Sequence, residues 1–321
     1  MGRAKRKGQR PTSAQKTSRK KGRWERFHDE HYRALLFIPF LLAVLSILSM
    51  GALYVQTGDF IHRGISLRGG TSFTFTTTEQ VSIKEFESEL SRQIPGEEFT
   101  VRQLEAGGDI TGVIVETSLR GQDSGQVVDF VERKLGTQFN PGEYTVEEIG
   151  GTLGETFFAD LLKTLAFAFF LMGIVVFYYF RTIVPSCAVI FAALFDILIT
   201  VGIVNMLGMR LSSAGIAAFL MLLGYSIDTD ILLTSRILKR QKGNSIFEAM
   251  VDAMKTGLTM SAAGLSATTV AYIVSESAVI KQIMLILMIG LAVDVMTTWV
   301  QNAGLLRWYL EHKENKGGKR K

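Results

Sequence analysis

Cysteine is nearly absent from this chain. Its 321 residues include one cysteine, Cys187, inside an apolar segment, so no intrachain disulfide can form. A single cysteine in such a setting reads as a small packing residue rather than a thiol catalyst. Metal ligands are as scarce: four histidines and that cysteine show no ligand spacing, which argues against a zinc or iron site. No metal or cofactor is expected. Charge is missing from long stretches, and 47 % of the residues are hydrophobic, with a mean hydropathy of +0.24. Such a chain is an integral membrane protein.

The first apolar run, Ala34–Val55, is too long for a signal peptide and lacks a small-residue cleavage site, so it is expected to be retained. Further runs lie at Phe157–Phe180, Ile183–Leu207, Leu211–Ser235, Gly257–Val274 and Val279–Leu305. Each is near the ~20 residues needed to cross the hydrocarbon core. Six spanning helices follow, one before the 56–156 segment and five within 157–305. Residues 1–33 carry twelve Lys/Arg, among them Arg19-Lys20-Lys21, with no aromatics interleaved in the first 23 residues. This tail suits anionic lipid headgroups or the ribosome better than nucleic acid. Its basic residues, Arg181, the 236–255 loop and the 306–321 tail fall on one side of a six-span arrangement, which the positive-inside rule makes the cytoplasm. Both termini are then cytoplasmic, and a cell membrane location follows. Between Gln56 and Glu155 there are 17 Asp/Glu and 8 Lys/Arg, a net of −9, and that domain faces outward.

Within the outward segment the patterning alternates between strand and helix. Thr71–Thr78, Phe99–Glu105, Gly112–Glu116 and Glu143–Ile149 read as strands, and Val81–Gln93 and Gln126–Leu135 as amphipathic helices. Turns are expected at Ala106-Gly107-Gly108-Asp109 and Pro141-Gly142. The order β-α-β-β-α-β is the ferredoxin-like split pattern, an α+β domain between helices one and two. It contains no catalytic triad and no metal cluster. Leu67-Arg68-Gly69-Gly70-Thr71 precedes the first strand. Paired glycines permit positive φ or close approach of another backbone, and the simplest reading is a tight turn. No helix start or Lys-Ser/Thr follows, so it is not a phosphate loop.

Acids inside the apolar runs carry the functional signal. Asp228 and Asp230 lie in Ala214–Leu233, where each costs ~2.5–3.5 kcal/mol by insertion scales. The bland reading is a protonated, structural pair bonded to neighbouring helices. Ser226, Asp230 and Thr234 form one stripe at spacing four, and Asp228 points away from it, since two residues turn a helix by ~200°. Arg236 closes the segment at the cytoplasmic boundary. Asp196 sits midway in the third run, and Asp294 in the last is followed by Thr297, Thr298, Gln301 and Asn302. The fifth run holds Thr256, Thr259, Ser261, Ser266, Thr268 and Thr269, which on the bland reading bond back to their own helix. Taken together, buried acids on three helices with hydroxyls between them fit a proton or ion path. Lys163 and Asp160 are placed to snorkel or to pair, and Glu276 sits at the outer mouth; neither is given a role.

These residues resemble a family. One span, an external domain opened by Gly69-Gly70-Thr71, and five further spans look like SecF of the SecD/SecF protein-export family, half of an RND-superfamily arrangement. Gly224-Tyr225-Ser226-Ile227-Asp228-Thr229-Asp230, ending in Ser235-Arg236-Ile237, resembles the fourth-span signature, and Asp196 in Phe195–Thr200 resembles the third-span aspartate. The similarity covers roughly residues 34–310. Asp228-Thr229-Asp230 stands where bacterial forms carry Asn-Asp-Thr, with Asp228 in the place of the SecD acid. Lys255-Thr256 replaces Arg-Thr. These departures, with Asp294 and Trp299–Tyr309, resemble the archaeal branch.

The resemblance implies a non-enzymatic subunit that pairs with SecD, meets the Sec translocon channel and the unfolded secretory polypeptide, contacts membrane lipids, and uses proton or ion motive force. Asp228 is expected to be the foremost carrier, then Asp230, with Asp196 and Asp294 beside them and Ser226, Thr234, Arg236, Thr256 and Thr259 in support. The main rival is an RND-type small-molecule or lipid exporter acting as a homodimer. An intramembrane aspartyl protease needs a Gly-x-Gly-Asp element, whereas this chain has Tyr225-Ser226-Ile227-Asp228. A purely structural assembly factor is a further alternative.

Overall fold

The computed structural model describes residues 35–318 except 96, 98, 107–108, 120–124, 141, 241–245 and 276. The basic tail of residues 1–33, the centre of the Ala106–Asp109 turn, Pro141, part of the 236–255 loop and Glu276 therefore lie outside the described residues.

Six helices among the described residues are long and apolar enough to cross a membrane. They are α1 (Phe37–Thr57), then, beyond a short helix α2 (Ile65–Arg68) and an intervening domain, α5 (Gly151–Phe180), α6 (Ile183–Met206), α7 (Ser213–Leu238), α8 (Ile246–Val274) and α9 (Ala278–Met296). The last continues through a π-helical segment, Thr297–Asn302, into α10 (Ala303–Gly318). The expected runs are all present, but α5 begins at Gly151 and α8 at Ile246, well before their apolar cores. Both extensions carry charged residues (Glu155 in α5; Glu248, Asp252 and Lys255 in α8), so hydropathy alone does not mark them as helix. The two-residue break after α5 is possible because Arg181 takes a left-handed conformation, φ 52°, that caps the helix.

Helices α6, α7 and α9 form the centre of the bundle. Half or more of their most apolar stretch is buried (61, 50 and 50 %), against 17, 11 and 17 % for α1, α5 and α8. Val189 and Ala193 of α6, Phe219 and Leu222 of α7, and Ile286 and Leu287 of α9 form the upper core. Leu233, Ile237, Ala253, Trp299 and Leu306 form the lower one. The peripheral helices leave Phe37, Leu41, Phe167, Phe170, Val270 and many similar side chains exposed. Surfaces of this kind are tolerated where lipid or another apolar helix covers them. Cys187 is exposed on α6 rather than packed, contrary to expectation.

Between α2 and α5 lie β1 (Gly70–Thr76), α3 (Ile83–Gln93), β2 (Phe99–Ala106), β3 (Asp109–Thr117), α4 (Gly125–Leu135) and β4 (Tyr144–Ile149). The sheet order is β2-β3-β1-β4 and every neighbouring pair is antiparallel. Each βαβ unit thus has a strand of the other inserted between its own two, the split arrangement. Strand alternation divides the sheet by face. Phe73, Phe75, Val101, Val113 and Val115 pack under Phe86, Leu90, Val127, Phe130 and Val131 of the two helices. Ser72, Thr74, Arg102, Glu116, Thr145 and Glu147 form the opposite, polar face, which looks onto the ends of α7 and α9.

Two junctions fasten this domain to the bundle. The strap after α1 is hydrogen-bonded to the α6–α7 connection: Leu211 N donates to His62 O at 2.7 Å and Gly64 N to Leu211 O at 2.8 Å. Asn205 Nδ2 donates to Phe60 O, and Ser213 N to Ser66 Oγ. At the other end a single residue, Gly150, separates β4 from α5.

Candidate functional site

Asp196, Asp230 and Asp294 come from the three central helices and are fully buried. Ser226 Oγ and Thr297 Oγ1 donate to opposite oxygens of Asp196. Thr229 Oγ1 lies 3.2 and 3.1 Å from the two oxygens of Asp294. Thr298 Oγ1 stands 3.1 Å from Asp294 Oδ1 and 3.0 Å from Asp230 Oδ1, so it bridges two carboxyls. Asn302 Nδ2 donates to Asp230 Oδ1 at 2.7 Å. A polar chain runs from α6 through α9 to α7, built on hydroxyls and one amide.

Among the described residues no Lys, Arg or His forms an ion pair with any of the three acids. Asp230 Oδ2, Thr234 Oγ1, Asn302 Oδ1, Gln301 Oε1 and Thr200 Oγ1 are buried and have no described hydrogen-bond partner. Buried carboxyl groups left without cations are costly unless a proton or ion balances them. Among the described residues the site is therefore a cluster of acids, hydroxyls and amides rather than a fixed ion pair.

The π-helical segment supplies Thr297, Thr298 and Asn302, and its widened turn presents four polar side chains inward, Gln301 included. Such insertions in α-helices occur frequently at functional positions. Sequence spacing placed Thr297 and Thr298 one turn beyond Asp294, and Asn302, four residues further on, reaches Asp230. Thr229 was missed because the four-residue stripe of Ser226, Asp230 and Thr234 passes it by, although it lies three residues after Ser226.

Other expected site residues lie elsewhere. Asp228 does not join the network: it lies on the exposed side of α7 near Tyr225, because the helix turns it away from Asp230. Thr256 and Thr259 are exposed on α8, and Thr259 donates back to Lys255 O, as does Ser266 to Ala262 O and Thr269 to Leu265 O. The back-bonding reading of that hydroxyl set holds for these. Arg236 pairs at 2.6 Å with Asp252 of α8 at the surface. Lys163 and Asp160 pair with each other, also exposed. Gly69 and Gly70 have φ of 82° and 135°, so positive φ is required at both. Their surroundings explain more than a turn. Gly154 of α5 packs so closely that a Cβ there would lie 2.7 Å from Gly69 N, and Thr71 Oγ1 donates to Leu119 O.

The sequence family described as "Protein export membrane protein SecD/SecF, C-terminal" matches residues 131–312. The protein-export membrane protein SecF of Pyrococcus furiosus is 38 % identical over 284 residues, 88 % of this chain and 93 % of that protein. The chain belongs to the SecD/SecF protein-export family. SecF of Methanothermobacter thermautotrophicus is 37 % identical over 87 % of this chain and 93 % of its own length. Among solved structures, SecDF of Thermus thermophilus, a translocon-associated membrane protein, superposes with a TM-score of 0.67 at 20 % identity. It is matched over 87 % of this chain but only 38 % of its own, so the chain spans well under half of that SecDF polypeptide. The fold of this SecF relative is thus the fold of one part of SecDF.

Proposed function

We propose that this chain is a SecF subunit of the protein-export machinery that works with a SecD half at the Sec translocon and acts on unfolded secretory polypeptides. The supporting observation is similarity to SecF proteins along nearly their whole length. On this reading the split βαβ domain is ferredoxin-like and external, both termini are cytoplasmic, and the six spans form half of a twelve-span assembly in the cell membrane. Asp228, Tyr225, Thr256 and Thr259 line faces that the SecD half covers, which removes a carboxyl group from lipid.

Proton or ion motive force enters through the buried network. Asp196, Asp230 and Asp294 have only neutral donors around them, so a proton or cation taken up or released there shifts the charge balance of three packed helices. The response reaches the external domain through the strap that binds residues 60–66 to residues 205–213, and through the Gly69–Gly154 contact with α5. The domain then moves between two positions as a rigid body. Translocation and ion flux in membranes carrying Asp230→Asn test the coupling; export is expected to drop at least tenfold. Wild-type values of both quantities would remove the network from the mechanism. Purification of the chain from native membranes is expected to bring a SecD-like protein with it, whereas a homodimer would favour an RND-type exporter.

A further inference from the structure

The sheet ends in two edges, and they are finished differently. The order β2-β3-β1-β4 leaves β2 and β4 outermost. Antiparallel pairing alternates, so every second residue of an edge strand turns its N–H and C=O away from the sheet. Thr76 N donates to Glu143 O at 3.2 Å and Thr77 N to Thr111 O at 3.3 Å, which fixes the alternation through all four strands. In β2 Val101 faces outward, and Glu87 of α3 takes its N–H at 2.8 Å. That edge is capped. In β4 the outward residues are Tyr144, Val146 and Glu148. Among the described residues no side chain and no further strand takes up their backbone groups. Residues 145–148 are exposed, Val146 to 45 %, although free edges are normally covered or blunted. The two sides of β4 also differ. Tyr144 stacks on Phe75 on the helix-covered side, with ring centroids 5.6 Å apart, and Val146, opposite Phe73, continues that apolar row into the open. Thr145 and Glu147 line a cavity of about 530 Å³ between the sheet and the ends of α7 and α9. Neither Glu147 nor Glu148 forms an ion pair with a described residue, and Arg102 of the same face is held by Glu116.

We propose that β4 binds an extended segment of unfolded polypeptide as an added strand, one in which apolar residues alternate with lysine or arginine. The proposal rests on the export reading and names where the polypeptide is held. An unpaired backbone is the feature that all unfolded segments share, and an open strand edge binds it through main-chain hydrogen bonds whatever the sequence. Side chains then set a preference: apolar residues lie beside Tyr144 and Val146, and basic ones beside Glu147 and the cavity, where opposite charges on neighbouring strands stabilise the pair. A second copy of this chain fits the edge poorly. Self-pairing would bring together two strands that each carry Glu143, Glu147 and Glu148 and no basic residue, and like charges across a strand pair are destabilising. The position also links binding to the membrane. Only Gly150 separates β4 from α5, so a held segment acts directly on the helix whose Gly154 packs against Gly69.

The test is fluorescence anisotropy of a short labelled peptide that alternates valine and lysine, added to the full chain purified from native membranes with its accompanying proteins. Saturable binding is expected. Val146→Pro should weaken it about tenfold, because proline removes an outward N–H and leaves every bond to β1 in place. An unchanged unfolding midpoint in that variant separates lost binding from lost fold. Glu147→Gln should weaken binding about threefold, the weight of one cross-strand charge pair. A peptide methylated on alternate backbone nitrogens should not bind, a result that needs no variant at all. No binding by the wild type, or binding indifferent to both Val146→Pro and backbone methylation, would overturn the proposal. So would a cross-link from Val146→Cys, in a Cys187→Ser background, to a second copy or to a SecD-like protein in place of the peptide. Loss of peptide binding while a SecD-like protein still co-purifies removes the edge site and leaves the export reading standing. Peptide binding without any such protein does the reverse.

Discussion

Thr298 has one hydroxyl within reach of two carboxyls, Asp294 and Asp230, and no other described side chain touches both. Its replacement by valine keeps the shape and removes the donor. Asp230 Oδ1 keeps Asn302 and Asp294 Oδ1 keeps Thr229 as donors, so Thr298→Val is expected to destabilise the chain by about 0.5–1.5 kcal/mol, the net worth of a lost internal hydrogen bond. Thermal unfolding in detergent checks this, and an unchanged midpoint would mean that Thr298 bridges nothing. His62 gives a pH dependence outside the membrane. Its pKa is lowered by burial, with Arg210 and Arg68 adding to the effect, so the unfolded chain binds the proton more readily than the folded one. Stability contributed by neutral His62 is complete above its ordinary value of 6.5 and is lost as pH falls below it toward the folded-state value. Unfolding midpoints of the wild type and His62→Gln, compared from pH 7.5 down to pH 5, should diverge with the wild type losing more; parallel curves would refute it.

At the scale of elements, the contact between α8 and the π-helical segment is set by one glycine. A Cβ on Gly257 would run into the ring of Trp299. Gly257→Leu is expected to push α8 away and to cost about 1–3 kcal/mol or more through overpacking. Because Trp299 follows Thr298 directly in the π-helical segment, export should fall as well, although no network residue is altered. Retained export with full stability would show that the π turn tolerates displacement. The sequence showed the strands, helices and spans through their periodicity, and the structure moved the strand ends by a few residues and the start of α8 from Gly257 back to Ile246. It did not show the π turn. Threonine, tryptophan and asparagine in Thr297–Asn302 are compatible with an α-helix, so nothing local marks the wider turn.

For the whole molecule, the proposed orientation can be read from labelling. In a Cys187→Ser background, a cysteine placed at Glu79 should react with a membrane-impermeant maleimide added to intact cells. One placed at Lys239 should react only after permeabilisation. The reverse pattern would invert the arrangement of termini and external domain.

Composition and periodicity alone determined the class of this protein: six apolar helices, a β-α-β-β-α-β domain between the first two, and acids in a hydrophobic setting. Those features are local, since each depends on the spacing of neighbouring side chains. Which acids meet was decided by tertiary structure. Asp228 and Asp230 are equally costly in sequence, and the helical turn separates them, but only the positions of α6 and α9 determine which side of α7 is the inside. Asp230 thereby joins Asp196 and Asp294, while Asp228 faces outward. The same is true of Gly69 and Gly70: a turn in the sequence, they are in the fold the place where α5 lies against the chain, because a contact between residues 69 and 154 has no local signature.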